Sequence, residues 1–260
     1  MPNEIFYFSG TGNSLALAKS LAGKLGSARL TRIAYTGEAE IVSAAKKVGI
    51  IYPVYAFGMP KIVKAFISKL KVPPGVYVFA VCNYAGMSGS AMKQTRKALA
   101  AVNIKLNAGF GLVMPGNYLP FGGAEPEEKF QKKVSRAEKR LETIAGIVQA
   151  GENKSIENPW YFPCWMTELA NCYFLKGITK ETRKFHADDK CTSCGLCARV
   201  CPTANVQLAD GKPRWGSNCE LCLACLQWCP GHAIQIGNIS PDRKRYHHPD
   251  IKVEEMIYNE

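Results

Sequence analysis

Eight of the eleven cysteines fall between positions 191 and 229, and their order repeats. Cys191, Cys194, Cys197 and Cys201, followed by Pro202, return 28 residues later as Cys219, Cys222, Cys225 and Cys229, followed by Pro230. The C-x2-C-x2-C-x3-C-P run has a mechanical meaning. Three thiolates in one tight turn can hold three irons of a cubane from one side, while the fourth, past a further short turn, points away to a second cluster. The spacing therefore predicts two [4Fe–4S] clusters. Cys191, Cys194, Cys197 and Cys229 would hold one, and Cys219, Cys222, Cys225 and Cys201 the other. Zinc favours paired C-x2-C units with a long spacer, which is not this pattern. The first residues run straight into Glu4-Ile-Phe-Tyr-Phe8 without a basic region or a small-residue cleavage site. An odd cysteine count in such a chain argues for metal ligation over a disulfide framework.

A second chemistry-bearing stretch is Ser9-Gly-Thr-Gly-Asn-Ser14, directly after an apolar run and at the start of a helical pattern. Glycines let a backbone approach a phosphate, and free N–H groups with Ser and Thr hydroxyls donate to it at the positive end of a helix. No Lys follows the second Gly, so this is not a Walker loop, and a third Gly needed for a dinucleotide fingerprint is missing. A terminal monophosphate suits so many neutral donors; a tight turn with a capping Ser is the plainer alternative. Two further loops, Pro53-Val-Tyr-Ala-Phe-Gly-Met-Pro60 and Asn83-Tyr-Ala-Gly-Met87, combine aromatic residues with glycines. They could sandwich a planar ring, or their aromatic residues could be core.

Residues 1–150 alternate short apolar runs with amphipathic stretches, which predicts a parallel sheet covered by helices. Strands are expected over Glu4–Phe8, Ala28–Ile33, Val48–Tyr52, Val76–Cys82 and Gly109–Met114. Helical faces are Leu15, Ala18, Leu21, Ala22 and Leu25; Ile62, Val63, Phe66, Ile67 and Leu70; and Phe130 through Val148 at helical spacing. Five such strands fit an α/β doubly wound sheet of order 2-1-3-4-5, in which all three loops flank one crevice at the switch point. Gly151 to Pro163 reads as a linker into an aromatic segment, Trp160 to Phe174. There Phe162, Trp165, Met166, Leu169, Cys172 and Tyr173 share helical spacing and are expected to pack between domains; scarce basic residues weigh against a membrane-surface helix. After each cysteine run a short strand is expected, Val206-Gln207-Leu208 and Ile234-Gln235-Ile236. About 50 residues build little core alone, so this module would be stapled by its clusters.

The cysteine region resembles the bacterial two-cluster ferredoxins. Residues 1–150 resemble flavodoxin, whose phosphate loop has the form S/T-x-T-G-x-T/S, met here by Ser9, Thr11, Gly12 and Ser14. That resemblance implies FMN as ligand. Ser9, Gly10, Thr11, Gly12, Asn13 and Ser14 would take the phosphate; Pro53, Val54, Tyr55, Ala56, Phe57 and Gly58, with Asn83, Tyr84, Ala85 and Gly86, would surround the isoalloxazine. It leaves open whether Tyr55 or Phe57 stacks on the ring and whether Tyr118 joins them. Over the whole chain the arrangement resembles the fused flavodoxin–ferredoxin proteins of anaerobic bacteria and archaea. The implied layout is an FMN domain over 1–150, a linker with an aromatic-rich helix over 151–185, a C-terminal α+β two-cluster domain over 186–240 and a polar tail over 241–260.

The formal net charge of +12 is uneven. Residues 1–150 hold 20 Lys and Arg against 8 Asp and Glu, whereas residues 151–260 hold 13 of each. Two oxidised clusters would take the second half to about −4. A basic half and an acidic cluster module attract, so the expected partners are an acidic redox protein such as a ferredoxin, or the cluster domain of a second copy in a homodimer. The basic residues lie on helix faces without a nucleic-acid recognition motif, so no nucleic acid is expected. No apolar run reaches the roughly 18 residues of a membrane span, and a cytoplasmic location is expected. The expected function is electron transfer between two clusters and FMN. The alternative is a flavin-dependent reductase of a small organic substrate supplied through the clusters. Cys82, Cys164 and Cys172 are expected to be small buried residues, and His247 and His248 part of the polar tail.

Overall fold

The structure, a computed structural model, describes residues 2–34, 38–157 and 163–258. Its sheet is built from β1 (Asn3–Tyr7), β2 (Ala28–Arg32), β3 (Lys47–Pro53), β4 (Tyr77–Tyr84) and β5 (Ala108–Val113). All neighbours pair in parallel, in the order β2-β1-β3-β4-β5. Parallel strands are covered on both faces, which is why they read as continuous apolar runs. Ile50, Ile51 and Tyr52 of β3 and Val78 to Cys82 of β4 are fully buried. Helices α1 (Asn13–Lys24) and α4 (Glu127–Ala150) cover one face, where Leu21, Leu141 and Ile144 meet Ile5 and Phe79. Helices α2 (Lys61–Lys69) and α3 (Ala91–Ala100) cover the other, where Val63, Ile67 and Met92 meet Phe6 and Val48. The connections after β1 and β3 leave on opposite faces, and the crevice this opens is where the three loops gather.

Helix α5 (Cys164–Thr182) corrects one expectation. Trp165, Leu169 and Tyr173 are 66%, 63% and 81% exposed, and Met166 and Cys172 are exposed too. Phe162 lies outside the described residues. The inward face is Thr167, Asn171, Ile178 and Thr182. Apolar spacing identifies a face without saying which way it turns, and here polar anchoring decides. Asn171 Nδ2 donates to the Tyr55 carbonyl at 2.8 Å, which holds α5 over the loop that follows β3.

The cysteine module comprises β6 (Phe185–Ala187), α6 (Leu196–Arg199), β7 (Val206–Ala209), β8 (Lys212–Trp215), α7 (Ala224–Gln227) and β9 (Ile234–Ile236). Strands β7 and β8 form a hairpin across Asp210 and Gly211, both left-handed, while β9 pairs antiparallel with β6. The sequence repeat is also a backbone repeat. Ser193, Gly195 and Ala204 have positive φ, and so do Leu221, Leu223 and His232, each 28 residues on.

Residues 241–258 wrap back over the first domain. Tyr246 N donates to Gln227 Oε1 at 2.8 Å and its hydroxyl bonds Asn13 Oδ1. His248 N donates to the Thr11 carbonyl at 2.8 Å. Further along, Tyr258 N donates to the Arg199 carbonyl at 2.8 Å, and Arg32 donates to the carbonyls of Glu255 and Ile257. Among the described residues no helix is long and apolar enough to cross a membrane.

His248 is buried, and burial pulls its imidazole below the ordinary value of 6.5, against a weaker opposing pull from Asp250. The packed tail therefore favours neutral His248. Its contribution is complete above the unfolded value and is lost as pH falls through the depressed folded one. Hydrogen exchange across residues 246–258 should quicken relative to the central strands between about pH 7.5 and 5.5, and a His248→Asn protein should lose that difference.

Candidate functional site

The loop Ser9–Ser14 leaves the C-terminal end of β1 and turns into α1 at Gly12, whose φ of 98° suits glycine. No side chain caps that helix start, so first-turn N–H groups are open to a ligand. The loop is braced by its own residues and by the neighbouring loops. Ser9 Oγ accepts from Gly12 N at 3.1 Å, Asn83 Nδ2 donates to Ser14 Oγ at 2.7 Å, and Asn13 Nδ2 donates to the Pro115 carbonyl at 3.1 Å. Gly12 itself faces the tail: a Cβ there would lie 2.9 Å from His248 Cβ.

Above the loop lies a cavity of about 950 Å³, near the top of the usual range for small-molecule sites. Every residue of Ser9–Ser14 except Gly12 lines it, as does every residue of Pro53–Gly58 except Gly58, and all of Asn83–Gly86. Gly58 instead abuts Asn171. Among the described residues no Lys or Arg lines the cavity. The turn Tyr55–Gly58 closes with two backbone bonds, Tyr55 N to Gly58 O at 2.9 Å and Gly58 N to Tyr55 O at 3.0 Å. Its central residues Ala56 and Phe57 have φ of 42° and 68°. Left-handed backbone costs a non-glycine residue about 1–2 kcal/mol, so the turn is held by its surroundings. Ser90 N donates to Phe57 O at 2.8 Å, and Asn171 grips Tyr55 O. Phe57 remains 39% exposed beside the cavity. Tyr118, edge-on to Phe174 at 6.4 Å, forms another wall.

The eight repeat cysteines gather as two quartets. Cys191, Cys194, Cys197 and Cys229 line one hollow; Cys201, Cys219, Cys222 and Cys225 line another. Burial raises the Cys197 thiol to about 11, with Cys194, Cys229 and Cys191 adding to the rise. Burial likewise raises Cys222 well above its ordinary value, followed by Cys201 and Cys219. Among the described residues no three His, Cys, Asp or Glu side chains are arranged to hold a single metal ion. Thiolates on one zinc, about 2.3 Å from the metal, would lie roughly 3.8 Å apart, whereas a cubane spreads its ligands wider. Three observations fit an anionic cluster in each hollow. The paired left-handed residues Ser193 and Gly195, and Leu221 and Leu223, are the conformation that turns successive N–H groups into an anion-binding concavity. Leu221 N donates to Cys219 Sγ at 3.2 Å, and Ala233 N to Cys229 Sγ at 3.3 Å. Arg245 Nη1 is a buried donor without a hydrogen-bond partner among the described residues, and the Trp215 indole lies against the Cys225 thiol.

The second quartet also belongs to the cavity. Leu221, Cys222 and Leu223 form part of its wall. Trp228 Nε1 donates to the Gly10 carbonyl at 3.0 Å, and a Cβ on Gly10 would lie 2.4 Å from the Cys222 carbonyl oxygen. Tyr55 lines the cavity. Burial, then the Cys222 thiol and the Glu220 carboxyl, hold its phenol well above the ordinary range, so it stays protonated.

The 4Fe-4S binding domain family matches residues 187–206. The chain is a flavodoxin-like α/β fold joined to a ferredoxin-like iron–sulfur module. Among solved structures, the first part is similar to the two-electron reduced flavodoxin of Megasphaera elsdenii, at 20% identity over 55% of this chain and 98% of that one, with a TM-score of 0.33. It is similar to a flavodoxin from the domain Archaea at 12% identity over 56% and 99%, with a TM-score of 0.34. It is also similar to rubredoxin oxygen:oxidoreductase from Desulfovibrio gigas at 15% identity over 58% of this chain and 36% of that chain, with a TM-score of 0.36. No curated protein matches the chain.

The remaining sequence candidates divide. Cys82 is fully buried and burial raises its thiol to about 12, as suits core. Cys164 is half-buried and Cys172 exposed, against the expectation for both. His247 stacks on Trp228 at 4.4 Å, and His248 packs against the loop at Gly12. Sequence reasoning missed Asn171, Arg245, Tyr246 and His248; their bonds span long separations and leave no periodic trace.

A Gly10→Ala protein tests the junction. The new methyl meets a backbone carbonyl that cannot rotate aside, so overpacking should cost about 1–3 kcal/mol in denaturant unfolding. Trp228 fluorescence should shift to the red before the main transition.

Proposed function

We propose that the protein is an electron-transfer iron–sulfur flavoprotein in which two [4Fe–4S] clusters and FMN are arranged in series within one chain. The observation that carries this reading is Cys222, which belongs to the inner quartet and is also cavity wall. The outer quartet opens to the surface: Cys194, Thr192 and Ser193 are exposed. The eight repeat cysteines would ligate the clusters, Ser9 to Ser14 would hold the FMN phosphate, and Pro53–Gly58 with Asn83–Gly86 would enclose the ring. When bound, FMN supplies one- or two-electron exchange while each cluster exchanges one electron, so together they convert between the two kinds of traffic.

The chain's own residues position these groups and keep water out. The uncapped start of α1 favours an anion at the loop, and the tail locks the loop through Thr11 and Asn13. Asn171 and Ser90 hold the strained Tyr55–Gly58 turn against the cavity. The outer quartet would receive or deliver electrons at the surface, and the Cys222 loop would be the contact with the flavin. The basic first half favours an acidic carrier, such as a ferredoxin, as the external partner.

The cavity volume favours a second reading. At about 950 Å³, with Phe174, Tyr118 and Ala170 as outer walls, it has room for a small planar organic acceptor beside the flavin. Turnover of a quinone or nitro compound well above that of free FMN would support it.

Anaerobic stopped-flow mixing of the cofactor-loaded protein with a reduced low-potential ferredoxin tests the series arrangement. Cluster absorbance should bleach before flavin absorbance, and a Cys194→Ser protein should lose the fast flavin phase while retaining bound flavin. Equal flavin reduction rates in both proteins would overturn the relay.

A further inference from the structure

Residue 245 lies in the tail, a segment without sequence motif, yet its side chain reaches the turn and strand that follow Cys229. Arg245 Nη2 donates to the Ile234 carbonyl at 2.9 Å, to Gln235 Oε1 at 2.9 Å and, more weakly, to the His232 carbonyl at 3.4 Å. Those acceptors belong to the strand and turn behind Cys229. They fix the guanidinium plane and leave Nη1 buried without a partner among the described residues. After burial itself, the group that acts most on this guanidinium is the Cys229 thiol, followed by Asp188 and then Cys225. Ala233, between two of its acceptors, donates its N–H to Cys229 Sγ at 3.3 Å, so the guanidinium is anchored on the segment that backs Cys229. Its backbone is immobilised on both sides, by Arg243 Nη1 donating to the Leu119 carbonyl at 2.5 Å and by Tyr246 N on Gln227.

A buried guanidinium with an unused donor is costly unless an acceptor is supplied. A cluster in the outer hollow supplies one, through thiolate or sulfide, and carries the opposite charge. Resting on the cluster reading above, we infer that Arg245 is the positioning residue that holds the outer cluster at a higher potential than the inner one, by placing a fixed positive charge and a free N–H donor beside Cys229. Reduction adds a negative charge to the cluster, and a nearby cation stabilises the reduced form. The Coulomb interaction falls with distance, so the cluster bearing Cys229 gains more than the one bearing Cys225. Lys190 and Lys212 also lie near this hollow, but Lys190 is exposed to solvent and Lys212 is half-exposed. Salt screens solvent-facing ammonium groups more than a guanidinium whose Nη1 is fully enclosed.

The test is an anaerobic redox titration of the full-length, cluster-loaded protein, followed by electron paramagnetic resonance. The outer step is identified as the one missing from a Cys194→Ala protein. In Arg245→Gln the outer potential should fall by at least about 59 mV, a tenfold change in the one-electron equilibrium, with a smaller fall at the inner cluster. The difference should persist at high salt, and Arg245→Lys should lie between the two. Arg245→Met, which removes both the charge and the donor at similar length, serves as the second arm if Arg245→Gln loads poorly. Unchanged outer potentials in fully loaded variants would overturn the role of Arg245. Wild-type protein that takes up no iron and sulfide would overturn the cluster reading itself.

Discussion

Gly10 and Cys222 approach one another backbone to backbone, and the rest of the molecule is arranged around that contact. The carbonyl of Cys222 occupies the space a side chain on residue 10 would need, and the Trp228 indole closes the same junction by donating to the Gly10 carbonyl. The loop at Ser9–Ser14, which ends a parallel strand, is thus joined to the turn that carries three of the inner cysteines. Because the contact uses main-chain atoms, it sets a distance that side-chain rotamers cannot relax. The flavodoxin-like crevice and the cysteine module consequently share a wall, and Cys222 faces both.

Backbone strain is concentrated at the same junction. Leu221 and Leu223 are left-handed on the cysteine side, Ala56 and Phe57 on the cavity side, and none is a glycine. Such geometry persists only where its surroundings over-determine it. On one side the surroundings are a hollow of thiols and inward N–H groups; on the other they are Ser90 and Asn171 gripping two carbonyls. Both loops are preformed around a space of defined shape, so little rearrangement is left for the arrival of a ligand.

How much of this was legible in the sequence depends on the range of the interaction. The cysteine repeat is legible because ligation chemistry fixes spacing locally, and its 28-residue period reappears in the backbone as matched left-handed positions. The sheet order is legible because doubly covered strands must be continuously apolar. The orientation of α5 is not, since Trp165, Leu169 and Tyr173 form a convincing apolar stripe that faces outward. What turns the helix is Asn171, a single polar residue bonded to a loop 116 positions earlier. The tail reads in sequence only as a polar end, because polar residues without a period carry no local signal; Tyr246 and His248 acquire meaning only beside Asn13 and Thr11.

That last feature has a consequence for how the protein is made. Chains emerge from the ribosome N-terminus first, and the parallel sheet can assemble from the first 113 residues. The loop at Ser9–Ser14 nevertheless receives its closing contacts from Tyr246, His248 and Tyr258, almost at the other end of the chain. Contacts of such long sequence separation form late. The crevice therefore stays open until residues 246–258 have been made, after the cysteine module between has had its opportunity to fold.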